Sequence, residues 1–193
     1  KFINCLFAVS AMEINFLIDN TVTSFLGEGY ISLFYYGSAF MRIPIGIFAV
    51  GFATVLLSHL SRIVTYAPRR LKFYILEATK LTCWVIVPAS LILMFISKKL
   101  FSTLLFSTRG TPLQIFQASW ILIIFSCGLV FFSLHKILTN MFYSLGDTLR
   151  PTIICISATL VNVVGNLLSI KFLGKNAIFG IAASTALYGV VLA

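Results

Sequence analysis

The chain has 193 residues, 60% of them hydrophobic and only 10% charged, with a mean hydropathy of +1.04. Soluble domains carry about 25% charged residues, so a water-soluble globule is excluded and an integral membrane protein follows. The net charge of +9 lies in loops and at helix ends without a compact basic motif, which points to membrane lipid and away from nucleic acid.

Cys5, Cys83, Cys127 and Cys155 are scattered through apolar runs without metal-ligand spacing, and read as small buried hydrophobes. There is no initiator Met, and Ala193 ends inside an apolar run, so the chain reads as an internal piece of a longer one.

Residues 2–26 form the first predicted span, and it is unusually polar. Asn15, Asp19 and Thr23 recur every fourth position and share one face, while Glu13, Asn20 and Ser24 make another. Such a helix cannot face lipid all round; it lines a cavity or buries itself among other helices. Gly27-Glu28-Gly29 turns the chain into a second span, 31–60, which carries Arg42 about a third of the way in, then Pro44, Gly46 and Gly51. A guanidinium at membrane depth costs several kcal/mol unless it meets an anion, water or a polar cavity. Arg42 therefore marks a transport pathway, or else snorkels or pairs quietly with one buried acid.

Residues 61–72, SRIVTYAPRRLK, form a basic loop. Arg62, Arg69, Arg70, Lys72 and Arg150 fall on one side of the bundle, and Lys98, Lys99, Arg109, Lys171 and Lys175 on the other. The totals tie, but four of the first group cluster in the 61–72 loop, which places that loop in the cytoplasm. The third span, 73–96, contains Pro88 as a predicted kink and closes on Lys98-Lys99. Residues 100–110 read as an amphipathic interfacial segment, with Arg109 as an anchor. Thr111-Pro112 opens the fourth span, 113–145, with His135, Lys136 and Asn140 in its last third.

Lys136 reads as a snorkelling side chain near a helix end. His59 and His135 have no nucleophile paired with them in sequence, and nothing supplies metal ligands for catalysis, so the chain is not read as an enzyme. Gly146-Asp147 and Pro151 form the next turn, 152–170 the fifth span, KFLGKN a turn, and 177–193 a sixth, truncated helix. The predicted fold is all-α: a polytopic membrane bundle of six helices, part of a larger transporter.

Counting residues from the turns gives relative depths. Arg42 lies 14 residues after Glu28 and Glu13 lies 15 before it, so in an antiparallel hairpin they share a level to within about 1.5 Å. The two are predicted to pair, or to flank one wet cavity. Counted the same way, Asp19, Asn162, Asn166 and Thr185 fall within roughly 6 Å of one depth. With the carbonyl of Ile181 they offer one carboxylate and neutral oxygens, a donor set that suits a small hard cation. The alternative is interhelical hydrogen bonding without an ion.

Several stretches resemble the lipid II flippase (MurJ) family. They are EINFLIDNTVTSFLGEG followed by LFYYGSAFMRIPIGIFAVGFATVLLSHLSR, then LLFSTRG, FSLHKILTNMFYSLGDTLRP, and VNVVGNLLSIKFLG with GIAASTALYG. Their order matches the family's second six-helix lobe across essentially the whole chain. The resemblance implies a bacterial inner-membrane flippase that moves the undecaprenyl-pyrophosphate-linked peptidoglycan precursor by alternating access against a missing N-terminal lobe. It also implies a sodium ion at Asp19, Asn162, Asn166, Ile181 and Thr185, with a second carboxylate in the family where this chain has Asn166, and no other cofactor. The family's intramembrane arginine of the second span falls at Ala39, and its arginine before FYAL at Asn140. Arg42, one turn along the same face from Ala39, would then contact substrate phosphate beside Glu13. A related exporter of polyprenyl-linked glycans or drugs, or a non-transporting scaffold whose cavity residues have changed, are the other readings.

Overall fold

The computed structural model describes residues 2–27, 29–106 and 111–193. Among them are seven α-helices and no strand: α1 (Phe2–Ser24), α2 (Tyr30–Pro44), α3 (Gly51–Tyr66), α4 (Leu71–Phe106), α5 (Pro112–Ser144), α6 (Leu149–Leu173) and α7 (Ala177–Leu192). Helices satisfy every backbone polar group internally, which is what a lipid environment demands. The seven make six rods, because a π-helical stretch, Ile45–Val50, joins α2 to α3 end to end. That stretch begins directly after Pro44, whose missing N–H and bulky ring disturb the regular ladder. Four rods are long and apolar enough to cross a membrane: Tyr30–Tyr66, Leu71–Leu105, Pro112–Ser144 and Leu149–Leu173. Ala177–Leu192 is a shorter apolar helix.

Local chemistry sets the ends. Gly29, at φ 89°, supplies the left-handed residue that enters α2. Thr111 and Gln114 form a reciprocal capping box at the start of α5: Gln114 N donates to Thr111 Oγ1 at 3.3 Å, and Thr111 N to Gln114 Oε1 at 2.8 Å. Asp147 Oδ1 accepts from the backbone N of Leu149 at 3.1 Å and of Arg150 at 3.2 Å, capping α6.

Several sequence expectations change here. Residues 61–66 complete α3, Pro68–Arg70 is a single 3₁₀ turn and Leu71 opens α4, so the 61–72 stretch is mostly helix and not an extended loop. Residues 100–106 continue α4 instead of forming a separate interfacial segment; the rest of that segment, with Arg109, lies outside the described residues, as does Glu28. Leucine-rich periodicity carries the helix on through Lys98-Lys99, and α4 also runs unbroken through Pro88. Pro151 sits in the first turn of α6, where its missing N–H costs nothing, and not in the preceding turn. His59 lies within α3, its ring 5.3 Å from that of Tyr74.

The core forms around α5, whose Phe125 receives Phe34 of α2 and Phe16 of α1 edge-on at 5.2 and 6.4 Å. α6 and α7 approach still more closely. A methyl group at Gly165 would lie 2.7 Å from Ser184 Cβ, and one at Gly180 would lie 2.5 Å from Ser169 Oγ. Small residues on both faces let the two backbones meet, as membrane helices need when lipid supplies no hydrophobic drive between them. That contact brings α7 against the polar stripe of α6.

Candidate functional site

Asp19 sits at the junction of α1, α6 and α7, and none of its surface is exposed. Burial excludes water, so its carboxylate must be served by protein donors. Thr185 Oγ1 donates to Oδ2 at 2.7 Å, Asn166 Nδ2 to Oδ1 at 2.6 Å, and Asn15 Nδ2 to Oδ2 at 3.3 Å. Asn166 Nδ2 also reaches Asn162 Oδ1 at 2.8 Å, and Thr185 Oγ1 lies 2.9 Å from the Ile181 carbonyl. Asn162, Asn166, Ile181 and Thr185 are all fully buried. The structure thus brings the five residues read from the sequence into one cluster. It adds Asn15, one turn before Asp19, and Ser184, whose hydroxyl faces both Asn166 Oδ1 and the Ile181 carbonyl.

Among the described residues, no lysine, arginine or histidine comes within ion-pair distance of Asp19. The Asn162 amide shows why the cluster fits a cation. With its oxygen inward it accepts from Asn166 but places that oxygen 2.9 Å from Asp19 Oδ1; turned over, its nitrogen serves Asp19 and its oxygen accepts from Thr185 N at 3.2 Å, yet its nitrogen then faces Asn166 Nδ2. Either way one like-to-like contact remains. A positive charge between carboxylate and amide oxygens removes it, and the oxygen donors present are those a small hard cation prefers.

A second polar group lies between α1 and α2. Arg42 Nη1 donates to Glu13 Oε2 at 3.1 Å. The guanidinium carbon lies 4.2 Å above the centre of the Phe16 ring, which is itself buried. The ring face favours the guanidinium charge. The pair is single-pronged, and Arg42 Nε has no partner among the described residues. The side chains remain 37% and 66% exposed, so the group faces out of the packed core with donor capacity in hand. Phe16 carries no polar signal and was not legible as part of this group; only its position three residues after Glu13 connects them.

Of the positions where the resemblance places other arginines, Ala39 is half-buried on α2. Asn140 is engaged elsewhere: its Nδ2 donates to the carbonyl of Ala53 on α3 at 2.6 Å. Lys136, on the same helix, is half-buried. His135 is buried and its Nδ1 lies 3.2 Å from the Leu192 carbonyl, with Thr139 Oγ1 3.3 Å and Cys155 Sγ 3.9 Å from Nε2. This thiol–imidazole contact is invisible to sequence spacing, since it depends on how α5 packs against α6. It ties three helices together inside the core.

The comparisons with known proteins agree with one another. The family model described as "Lipid II flippase MurJ" matches residues 1–193. A probable lipid II flippase MurJ of Vibrio cholerae is 34% identical over 186 residues, covering 96% of this chain and 35% of that protein. The corresponding protein of Haemophilus influenzae is 32% identical over 177 residues, covering 88% of this chain and again 35% of its own length. The chain therefore spans about a third of the relatives it matches. A solved structure titled "Lipid II flippase MurJ, inward closed conformation" superposes with a TM-score of 0.81 at 26% identity, over 96% of this chain and 39% of that one. With a family model matched from the first residue to the last, the chain belongs to the lipid II flippase MurJ family.

Proposed function

We propose that this chain is the second six-helix lobe of a flippase that carries lipid II, the undecaprenyl-pyrophosphate-linked precursor, across the bacterial inner membrane by alternating access. The single observation that supports this beyond family membership is Arg42. It is a guanidinium at membrane depth, stacked over Phe16, tied to Glu13 through one nitrogen only and with its side chain 37% exposed. Arginine's planar fork matches phosphate oxygens, and donors left free at membrane depth need an anionic visitor. Glu13 neutralises the group in the absence of substrate, and a pyrophosphate competes for the nitrogen that Glu13 holds. Lipid II, an N-terminal lobe and surrounding membrane lipid are the partners of this reading, and the chemistry is transport, with no covalent step.

Asp19, Asn162, Asn166, Thr185 and the Ile181 carbonyl would hold a sodium ion. The ion would neutralise the carboxylate and so tie α1 to α6 and α7. Around that site, Thr185 and Asn15 hold Asp19 by hydrogen bonds, and the α6–α7 contact excludes water.

The test is complementation of a flippase-depleted bacterial strain by the full-length gene, wild type beside the exchange Glu13→Arg with Arg42→Glu. The wild type is expected to restore growth. The exchange keeps opposite charges facing each other, so a purely structural pair survives it, whereas a pyrophosphate-holding Arg42 does not. Loss of growth with normal membrane levels supports the proposal; full growth of the exchanged variant overturns it.

A further inference from the structure

Asn166 sets the polarity of the Asp19 cluster. Its nitrogen points inward, 2.6 Å from Asp19 Oδ1 and 2.8 Å from Asn162 Oδ1, and its oxygen is turned away onto the Ser184 hydroxyl. With the Asn162 oxygen inward, one N–H₂ group thus spans two oxygens that a cation at this site would share. We propose that the Asn166 amide is a built-in substitute for the cation: nitrogen inward it stands in for the ion, and turned over it offers its oxygen as one of the ion's ligands. This rests on the reading of the cluster as a cation site.

The neighbours make both orientations tenable. A serine hydroxyl both donates and accepts. As arranged, Ser184 can give its hydrogen to Asn166 Oδ1; with the amide turned over, it accepts from Nδ2 and gives its hydrogen to the Ile181 carbonyl, 2.8 Å away. The exchange keeps the same partners and reassigns their hydrogens. An aspartate at 166 has no N–H to turn inward, and two carboxylates side by side, without an ion, repel each other. The amide is an incomplete stand-in, because the Asn162 amide keeps one like-to-like contact at 2.8 or 2.9 Å in either orientation. An ion that removes that contact retains an advantage, so sodium binds in competition with an internal donor and correspondingly weakly.

The experiment uses the full-length protein in nanodiscs, with thermal unfolding followed as sodium chloride replaces choline chloride at constant ionic strength. Asn166→Asp is expected to unfold at a lower temperature than wild type in choline. It should also reach half its sodium-dependent stabilisation at a concentration about tenfold lower, since ligand charge sets cation affinity at oxygen sites. An unchanged midpoint, or an unchanged unfolding temperature in choline, overturns the substitution while leaving the cation site standing. If neither protein responds to sodium, and wild type behaves as Asp19→Asn does, the cation site itself falls and the substitution with it. Should Asn166→Asp fold in neither salt, Asn166→Ala decides: a larger loss of stability in choline than in saturating sodium supports the proposal, and equal losses overturn it.

Discussion

At the scale of single residues, the two polar groups differ in how firmly each member is held. Thr185→Val keeps the volume but removes the 2.7 Å hydrogen bond to Asp19, leaving a buried carboxylate short of a donor. A hydrogen bond to a charged group is worth about 1.5–3 kcal/mol, so a clear fall in unfolding temperature is expected, larger than that of Asn15→Leu, whose contact is 3.3 Å. Equal effects would show that the two donors are interchangeable. Phe16→Leu keeps an apolar side chain but removes the ring face beneath Arg42. A cation–π contact of about 0.5–1 kcal/mol corresponds to roughly a two- to fivefold weaker binding of a labelled prenyl diphosphate, with folding retained. What the sequence revealed at this scale was depth: counts from a turn put Glu13 level with Arg42, and Asp19 level with Asn162 and Thr185. What it concealed was azimuth. Whether Ser184 meets the Asn166 amide depends on the rotation of α7 against α6, which small residues at 165 and 180 decide only once the helices are in contact.

Elements respond to substitution according to what faces them. At Gly165 an added methyl would meet Ser184 Cβ at 2.7 Å, whereas at Gly46 and Gly51 nothing lies within 4 Å. Gly165→Ala is therefore expected to cost about 1–3 kcal/mol by forcing α6 and α7 apart, with the Asp19 cluster opened as a result. Gly51→Ala, on the open side of α3, is expected to be neutral or to stabilise by up to about 1 kcal/mol, because alanine favours helix and meets no obstacle. Thermal unfolding of both variants in one detergent checks the contrast, and the opposite order would mean the α6–α7 contact is looser than its geometry. The sequence made the helices legible through long apolar runs, but not their ends around 61–72 and 100–110. Basic residues there read as longer breaks than the structure has: helix continues to Tyr66 and from Leu71, and again from 100 to Phe106, because a lysine's long stem lies along a helix as easily as it leaves one. The π-helical joint was equally hidden, since Pro44 and two glycines predict a weak point without saying which weak form it takes.

For the whole molecule, family membership makes the chain a multi-pass protein of the bacterial inner membrane, and its rods are of unequal reach. α4 has 36 residues and α6 has 25, about 54 and 37 Å at 1.5 Å per residue, around a hydrocarbon layer of about 30 Å. Leaning by the usual 20° or so shortens α4 by only a few ångströms, so its ends pass well into the head groups, while α6 nearly matches the layer. Both rods show long apolar side chains outward, Trp84 and Phe95 on α4, and Ile153 and Leu160 on α6. The charge-free stretch of α4 between Lys80 and Lys98 is about 26 Å long at 1.5 Å per residue, so the lipid along that wall meets an apolar length no greater than that of α6. Both walls thus suit one layer of about 30 Å, so the protein should be most stable at an intermediate acyl length. Unfolding in nanodiscs of 14-, 16- and 18-carbon lipids is expected to peak in the middle of the series, and a steady rise towards either end would mean that the apolar stretches do not set the preferred thickness.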